Sequence, residues 1–265
     1  MFDYFFQRDP GSNISIKKVV IILLSVALCS CRGDDVTKYN KLPAQTLYDD
    51  AVCSLDDSFK DTIAKLDVIE RRHPHYEKLE DARLLKIYTY YKHRKFDDAV
   101  FAADYFLNIY PASSNSPYAH YIRAMSYYDQ IVDVGRDQQI TEKARKDFTA
   151  LIRRYPRTPY AKDSYWKLEY IFNILAAKEA EIGRFYLRQG NSLAAINRFK
   201  FVINQYDTSM LVPEALYRMA ESYHAIGLNC QVRQYIEVLK YNFGDSKWYK
   251  QAEMLNMNLK TSGQQ

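Results

Sequence analysis

Seven tyrosines are concentrated in two short stretches of the sequence, and tyrosine is a side chain suited to binding. They are Tyr88, Tyr90, Tyr91, Tyr118, Tyr121, Tyr127 and Tyr128. A tyrosine offers a rigid ring for contact and a hydroxyl group that forms hydrogen bonds. Arg123 lies within the second stretch, and its guanidinium could bind a carboxylate or the C-terminus of a peptide, or could pair with a neighbouring acid instead. The pattern predicts a peptide-binding groove rather than a reactive centre.

The other reactive side chains form no recognisable catalytic pattern. The sequence has no glycine-rich phosphate loop, no G-x-S-x-G and no H-E-x-x-H. His73 and His75, with Glu70 and Glu77 nearby, could form a surface metal site, but a helix end followed by a turn explains the same residues. We favour the helix end, and we expect no catalytic residue, no metal, no cofactor and no enzymatic activity.

The N-terminal region has the features of a targeting signal. Lys17 and Lys18 are followed by ten mostly apolar residues, 19–28. A membrane-spanning helix needs about 20 such residues, so this run fits the apolar region of a secretory signal peptide. A buried core strand is the alternative explanation of this apolar run.

Two cysteines follow the apolar run, and the sequence then turns polar at Arg32. The arrangement resembles the bacterial lipobox, in which signal peptidase II cuts before an acylated cysteine. We predict acylation at Cys31, because Cys29 would have the large Leu28 before it. Residues 1–30 are then the signal peptide, and 31–43 are the lipidated N-terminus and tether.

In lipoproteins of this type, an aspartate directly after the acylated cysteine favours retention in the inner membrane. Arg32 occupies that position here. The resemblance therefore predicts anchoring in the cell outer membrane, on its periplasmic face. Several acyl chains hold a protein firmly where a single chain does not.

A short pattern recurs five times after residue 44. A small or β-branched residue is followed four residues later by an apolar one, and eight residues further on by proline or a turn residue. The first positions are Thr62, Ala99, Ala144, Ala195 and Val232, with spacings of 37, 45, 51 and 37. Most of these positions follow a segment in which a small residue is followed three residues later by an aromatic one. This is the tetratricopeptide repeat (TPR), and it predicts an all-α TPR solenoid of about five helix pairs.

The irregular spacings locate insertions within this array. Eight extra residues fall in 131–141, which predicts a polar loop in the third repeat, and fourteen fall in 159–189, which predicts one long helix. The protein is then divided into repeats one to three (44–158) and a second part, 159–265. The second part has the long helix, repeats four and five, and a C-terminal capping helix over 246–260.

The repeat register also predicts the role of individual residues. Gly190 and Gly227 fall between paired helices, where left-handed turns are expected. Tyr90 and Tyr127 hold the aromatic position that fills the space between helices. Tyr88, Tyr91, Tyr118 and Tyr121 lie off that position and are our groove candidates, together with Arg123.

Composition and cysteine placement exclude other classes. Apolar residues make up 48% of the sequence, which excludes wholesale disorder. The 37 basic and 32 acidic residues are interleaved and give a net charge of only +5, so no nucleic-acid partner is required. Cys53 and Cys230 lie in the first and last repeats, too far apart for a disulfide, so we predict two free thiols.

The residues of four stretches resemble the BamD family, the TPR lipoproteins of the outer-membrane β-barrel assembly machine. The resemblance covers about 47–239, and its most specific stretches are 88–91, 117–128, 180–190 and 194–199. The lipobox, the loop in repeat three and the long helix fit that family. Asp207 departs from it, where proline is usual.

The resemblance implies partners and site residues. C-terminal repeats of the family hold the last POTRA domain of the barrel protein BamA, and by position Arg198 is the polar contact, with Arg184, Arg188 and Asn197 as neighbours. The N-terminal groove is expected to meet C-terminal signals of unfolded outer-membrane proteins. Other Bam lipoproteins are further expected partners. An exposed helix charge is the plain alternative for Arg198.

Two other functions are kept as alternatives. One is a different outer-membrane TPR lipoprotein, such as a secretin pilotin or an adaptor for cell-wall enzymes. The other is an enzyme with a TPR-like body, which needs a convergent cluster of acid, base or metal ligands.

Overall fold

The computed structural model of the protein describes residues 38–262, with side chains up to Met257 in the last helix. The predicted signal peptide, Cys31 and most of the tether lie outside these residues. Every regular element described is an α-helix, so the predicted all-α repeat fold is confirmed. The helices are α1 (Ala44–Cys53), α2 (Phe59–Arg72), α3 (Leu79–Lys92), α4 (Phe96–Ile109), α5 (Ser116–Tyr128), α6 (Gln139–Arg154), α7 (Pro159–Arg188), α8 (Ser192–Gln205), α9 (Val212–Ala225), α10 (Asn229–Phe243) and α11 (Lys247–Ser262).

Local sequence signals set where the helices begin. The side chains of Thr158 and Asn191 each accept a hydrogen bond from the backbone N–H three residues later, at 3.2 Å, and so cap α7 and α8. Proline occupies the first turn of α5, α7 and α9, where its missing N–H costs nothing.

Two glycines end helices as predicted. Gly190 and Gly227 have φ of 75° and 79°, the left-handed conformation that glycine adopts without steric penalty. These values confirm the expected turns between paired helices.

The first compact unit comprises the described residues 38–82. Helices α1 and α2 pack against each other, and Leu47, Leu66 and Ile69 are completely buried. Lys65 is also buried, but its ammonium forms an ion pair with Asp61 at 2.7 Å. A buried charge is tolerated here because it is paired.

The second compact unit comprises residues 83–262. From α4 to α11, each helix packs against the next one in the sequence. The buried side chains form three successive clusters, which centre on Phe106, on Phe148 with Phe199, and on Val232 with Ile236. Tyr127 packs against the middle cluster, in agreement with its predicted role as filler.

The two insertions take different forms. α7 is a single helix of 30 residues. The loop of the third repeat occupies 129–138 and is shorter than predicted, because α6 already begins at Gln139. The Gln138 amide donates to the carbonyl oxygens of Asp133, Val134 and Arg136 at 3.0–3.3 Å, which holds the loop together.

Within the described residues, no helix combines the length and apolar character needed to cross a membrane.

Candidate functional site

Three helices each contribute a pair of side chains spaced by three residues, which places both members on one face of the helix. The pairs are Tyr88 and Tyr91 on α3, Tyr118 and Tyr121 on α5, and Tyr160 and Asp163 on α7. We call the five tyrosines among them the tyrosine row. The ring of Tyr160 lies 5.7 Å from that of Tyr118 and 5.3 Å from that of Tyr121. The structure therefore brings the predicted tyrosines of α5 into contact with the long helix.

Two hydroxyl groups of the tyrosine row are held by acids. Tyr91 donates to Asp129 at 2.7 Å, and Tyr121 donates to Asp163 at 2.7 Å. Burial, and then these carboxylates, raise the pKa of both tyrosines, so both remain protonated donors at neutral pH. Each ring is thereby fixed in orientation, which lowers the entropy lost when a partner binds.

The aromatic surface continues along α5 and α7. The ring of Tyr128 lies 5.7 Å from that of Tyr170, and the ammonium of Lys167 lies 5.2 Å from the centre of the Tyr128 ring. Sequence reasoning missed Tyr160 and Tyr170 because it treated the long helix only as a spacer. The spacing 160, 163, 167 and 170, which follows one helix face, was the available signal.

Arg123 does not join the tyrosine row. It follows Tyr121 by two residues, which places it about 200° further round the helix. Its Nε and Nη2 atoms donate to Asp147 at 2.8 and 3.0 Å, and its Nη1 atom donates to Asp104. The structure thus shows that Arg123 pairs with neighbouring acids of the same protein, the alternative to binding the carboxylate of a peptide. These ion pairs link α5 to α4 and α6.

His120 lies on the same side of α5 as Arg123. Its ring is 5.6 Å from that of Tyr155. Burial, followed by the nearby charges of Arg123 and Arg154, lowers the pKa of His120 to about 4. The imidazole is therefore neutral at pH 7 and acts as a packing group.

A second surface lies on α8. Asn197 is exposed, and the exposed side chains of Leu193 (65%) and Phe201 (45%) lie one turn on either side of it. Arg198 donates through Nη1 to Glu179 at 3.0 Å, while its side chain remains 43% exposed. We call Leu193, Asn197, Arg198 and Phe201 the α8 surface.

The two remaining arginine candidates lie at the end of α7. Arg184 donates through Nη1 to Glu214 of α9 at 2.9 Å, so it pairs with a different acid from Arg198. Arg188 is exposed in the last turn of α7.

The other reactive side chains have structural positions. Cys53 and Cys230 are both free and exposed. His73 is the residue that ends α2, and no group of three or more potential metal ligands occurs in the part of the protein that the structure describes.

These features define a helical repeat protein of the tetratricopeptide type, with two surfaces suited to protein partners, the part-buried tyrosine row and the exposed α8 surface. The profile of the YfiO family, described as outer membrane lipoprotein, matches residues 40–239, and the chain belongs to this family. The family resemblance read from the sequence is confirmed.

Relatives named outer membrane protein assembly factor BamD match most of the sequence. The protein from Caulobacter vibrioides is 38% identical over 256 residues, which are 96% of this chain and 83% of the relative. That from Rickettsia prowazekii is 36% identical over 239 residues, 90% of this chain and 95% of the relative. A more distant relative from Neisseria meningitidis serogroup B is 26% identical over 253 residues, 89% of this chain and 95% of the relative.

Proposed function

We propose that this protein is a lipid-anchored, non-catalytic scaffold on the periplasmic face of the outer membrane. It acts in the folding and insertion of β-barrel proteins. Membership of an outer membrane lipoprotein family and relatives named as assembly factors support this role. The observation that carries the binding role is the tyrosine row, which spans three helices with two of its hydroxyl groups held in place. Cys31 carries the anchor.

The tyrosine row binds C-terminal signals of unfolded outer-membrane proteins. These segments are extended and have aromatic ends, and aromatic rings pair well with the part-buried rings of Tyr118 and Tyr121. Contact is made through the rings and hydroxyl groups. Arg123 is not needed, because Asp104 and Asp147 already bind its guanidinium.

A peptide titration tests the tyrosine row. The probe is a synthetic ten-residue peptide with the aromatic C-terminal sequence of a β-barrel protein. We expect Tyr118→Ala to weaken binding about tenfold, the loss typical of a buried aromatic contact. Tyr121→Phe keeps the ring and should change affinity less. Tyr241→Ala is the matched control, since Tyr241 lies on α10 and is 91% exposed.

The proposal for the tyrosine row fails if Tyr118→Ala binds the peptide as tightly as the unmodified protein. Circular dichroism of Tyr118→Ala checks that the helices are retained. Equal weakening by Tyr241→Ala would indicate non-specific adhesion of the peptide.

The α8 surface binds the POTRA domain of a BamA-like barrel protein. Glu179 uses only one of the Arg198 nitrogens, so the remaining N–H groups can bind a carboxylate of the partner. Leu193 and Phe201 provide apolar contact on both sides of Asn197. Arg184 and Arg188 extend the contact at the end of α7, and other Bam lipoproteins complete the assembly.

Co-purification from detergent-solubilised membranes tests the α8 surface. Arg198→Glu places a negative charge beside Glu179 and should abolish recovery of the POTRA-bearing protein. Arg233→Glu makes the same charge change at an exposed position of α10 and should leave recovery unchanged. Full recovery with Arg198→Glu would contradict the proposed contact.

A further inference from the structure

Helix α4 exposes a stripe of large apolar side chains. Phe101 is 76% exposed, Tyr105 48% and Ile109 41%. Their spacing of four residues places them along one side of the helix. The opposite side already packs into the protein through Ala99, Ala103 and Phe106. A surface helix normally carries polar side chains on its outer side, so this stripe marks an interaction site.

The same side of α4 is acidic. The helix contains three aspartates and no lysine or arginine, although the whole protein has a net charge of +5. Asp97 and Asp98 are exposed. They precede Phe101 by about one helical turn, one on each side of the line that runs through Phe101 along the helix. Acids in a first turn stabilise a helix N-terminus, but that role does not explain the exposed phenylalanine beside them.

Part of this stripe is held in place. The guanidinium of Arg83 lies 5.3 Å from the centre of the Tyr105 ring and so fixes one member of the stripe. Asp104, a neighbouring residue of α4, forms an ion pair with Arg123. The tyrosine row lies on α3, α5 and α7, and the α8 surface lies on α8. Helix α4 therefore contributes to neither of the proposed binding surfaces.

We propose that the outer side of α4 is a docking site for a basic amphipathic segment of a partner protein. Apolar residues of that segment cover Phe101, Tyr105 and Ile109, as in helix-in-groove recognition. Its lysines or arginines pair with Asp97 and Asp98. Charge complementarity selects this partner, and it disfavours an anionic lipid surface, which the two aspartates would repel.

A pair of synthetic peptides tests the charge preference. The first is a sixteen-residue amphipathic helix of leucine and lysine, and the second has glutamate in place of each lysine. Binding to the unacylated Cys31→Ser protein, from residue 31 onward, is followed by fluorescence anisotropy of labelled peptide. We expect the lysine peptide to bind at least about tenfold more tightly, and less tightly as salt screens the charges.

Two variants test the site itself. Phe101→Ala should weaken binding of the lysine peptide about tenfold, and the double change Asp97→Asn and Asp98→Asn should weaken it about fivefold. Both changes are at exposed positions, so we expect the fold to be retained, which circular dichroism checks. Met210→Ala is the matched control between α8 and α9, at a side chain of similar exposure (75%) that belongs to neither proposed binding surface. It should leave peptide binding unchanged.

Four results would overturn the proposal. These are no binding of the lysine peptide, equal binding of both peptides, full binding by Phe101→Ala, or equal weakening by Met210→Ala. Analytical ultracentrifugation without peptide supplies a fifth. If the protein self-associates and Phe101→Ala abolishes that association, the stripe is covered by a second copy rather than by a basic partner.

Discussion

At the scale of single residues, three turns between paired helices share one backbone geometry. The carbonyl oxygens of Tyr90, Tyr186 and Tyr223 each accept a hydrogen bond of 2.9 Å from the N–H five residues later. The residue before that N–H has positive φ in every case. It is glycine in two of the turns, but in the first it is Arg94, with φ of 58°. A side chain in this conformation costs about 1–2 kcal/mol.

We predict that Arg94→Gly stabilises the protein by about 0.5–1 kcal/mol, because the strain in the folded state exceeds the extra entropy of glycine in the unfolded state. The gain is reduced by loss of the Arg94 guanidinium, 5.3 Å from the Phe96 ring. Urea denaturation followed by circular dichroism measures the change. Arg94→Ala removes the guanidinium and keeps the strain, so it should give no gain. Equal stabilisation by both variants would contradict the strain argument.

The sequence predicted some of these residues and not others, for a physical reason. Gly190 and Gly227 could be recognised because glycine marks a left-handed turn, whereas Arg94 carries no such mark. The tyrosines of α5 could be selected from the repeat register. The partners of Arg123 could not, because Asp104 and Asp147 come from neighbouring helices and their distance depends on packing.

At the scale of helices, α7 and α8 approach closely because Gly183 faces Phe199. A Cβ atom at Gly183 would lie 2.7 Å from the end of the Phe199 ring, a distance that van der Waals contact does not allow. Phe199 is completely buried, so the ring has little room to move. The glycine is therefore required by packing rather than by backbone conformation.

We predict that Gly183→Ala destabilises the protein by about 1–2 kcal/mol. Overpacking a core costs about 1–3 kcal/mol, and the better helix propensity of alanine offsets up to about 1 kcal/mol of that. Thermal unfolding by circular dichroism measures the loss. Gly135→Ala is the control, since a Cβ there meets nothing within 4 Å. An unchanged melting temperature for Gly183→Ala would show that α7 and α8 can move apart without cost.

Helix ends were the least predictable part of the elements. The long helix is predicted over 159–189 and occupies Pro159–Arg188. The agreement is close because the Thr158 cap and Pro159 mark its start and Gly190 marks its end. The loop in the third repeat has no such signal at its end. Gln138 donates back to the loop carbonyls, and α6 starts directly after it at Gln139, two residues before the end predicted for the loop.

At the scale of the second compact unit, stability is shared between neighbouring helices. Its buried side chains form three clusters in sequence order, and successive helices make most of the contacts. In such arrays the stability is close to a sum of local terms and nearest-neighbour interfaces. Local damage should therefore stay local, a property that suits the proposed scaffold role with separate binding surfaces.

We predict that Trp248→Ala loosens α9, α10 and α11 while leaving α5 and α6 protected. Trp248 packs against the last cluster, with its ring 5.6 Å from that of Tyr217, and the guanidinium of Arg218 lies 5.5 Å from its centre. Removing the ring should cost about 2 kcal/mol locally, less than a fully buried tryptophan. Hydrogen–deuterium exchange with mass spectrometry should show faster uptake in 212–257 only. Trp248→Phe keeps an aromatic ring and should show a smaller rise. Faster uptake throughout 116–243 would instead mean that the helices of this unit open as one cooperative body.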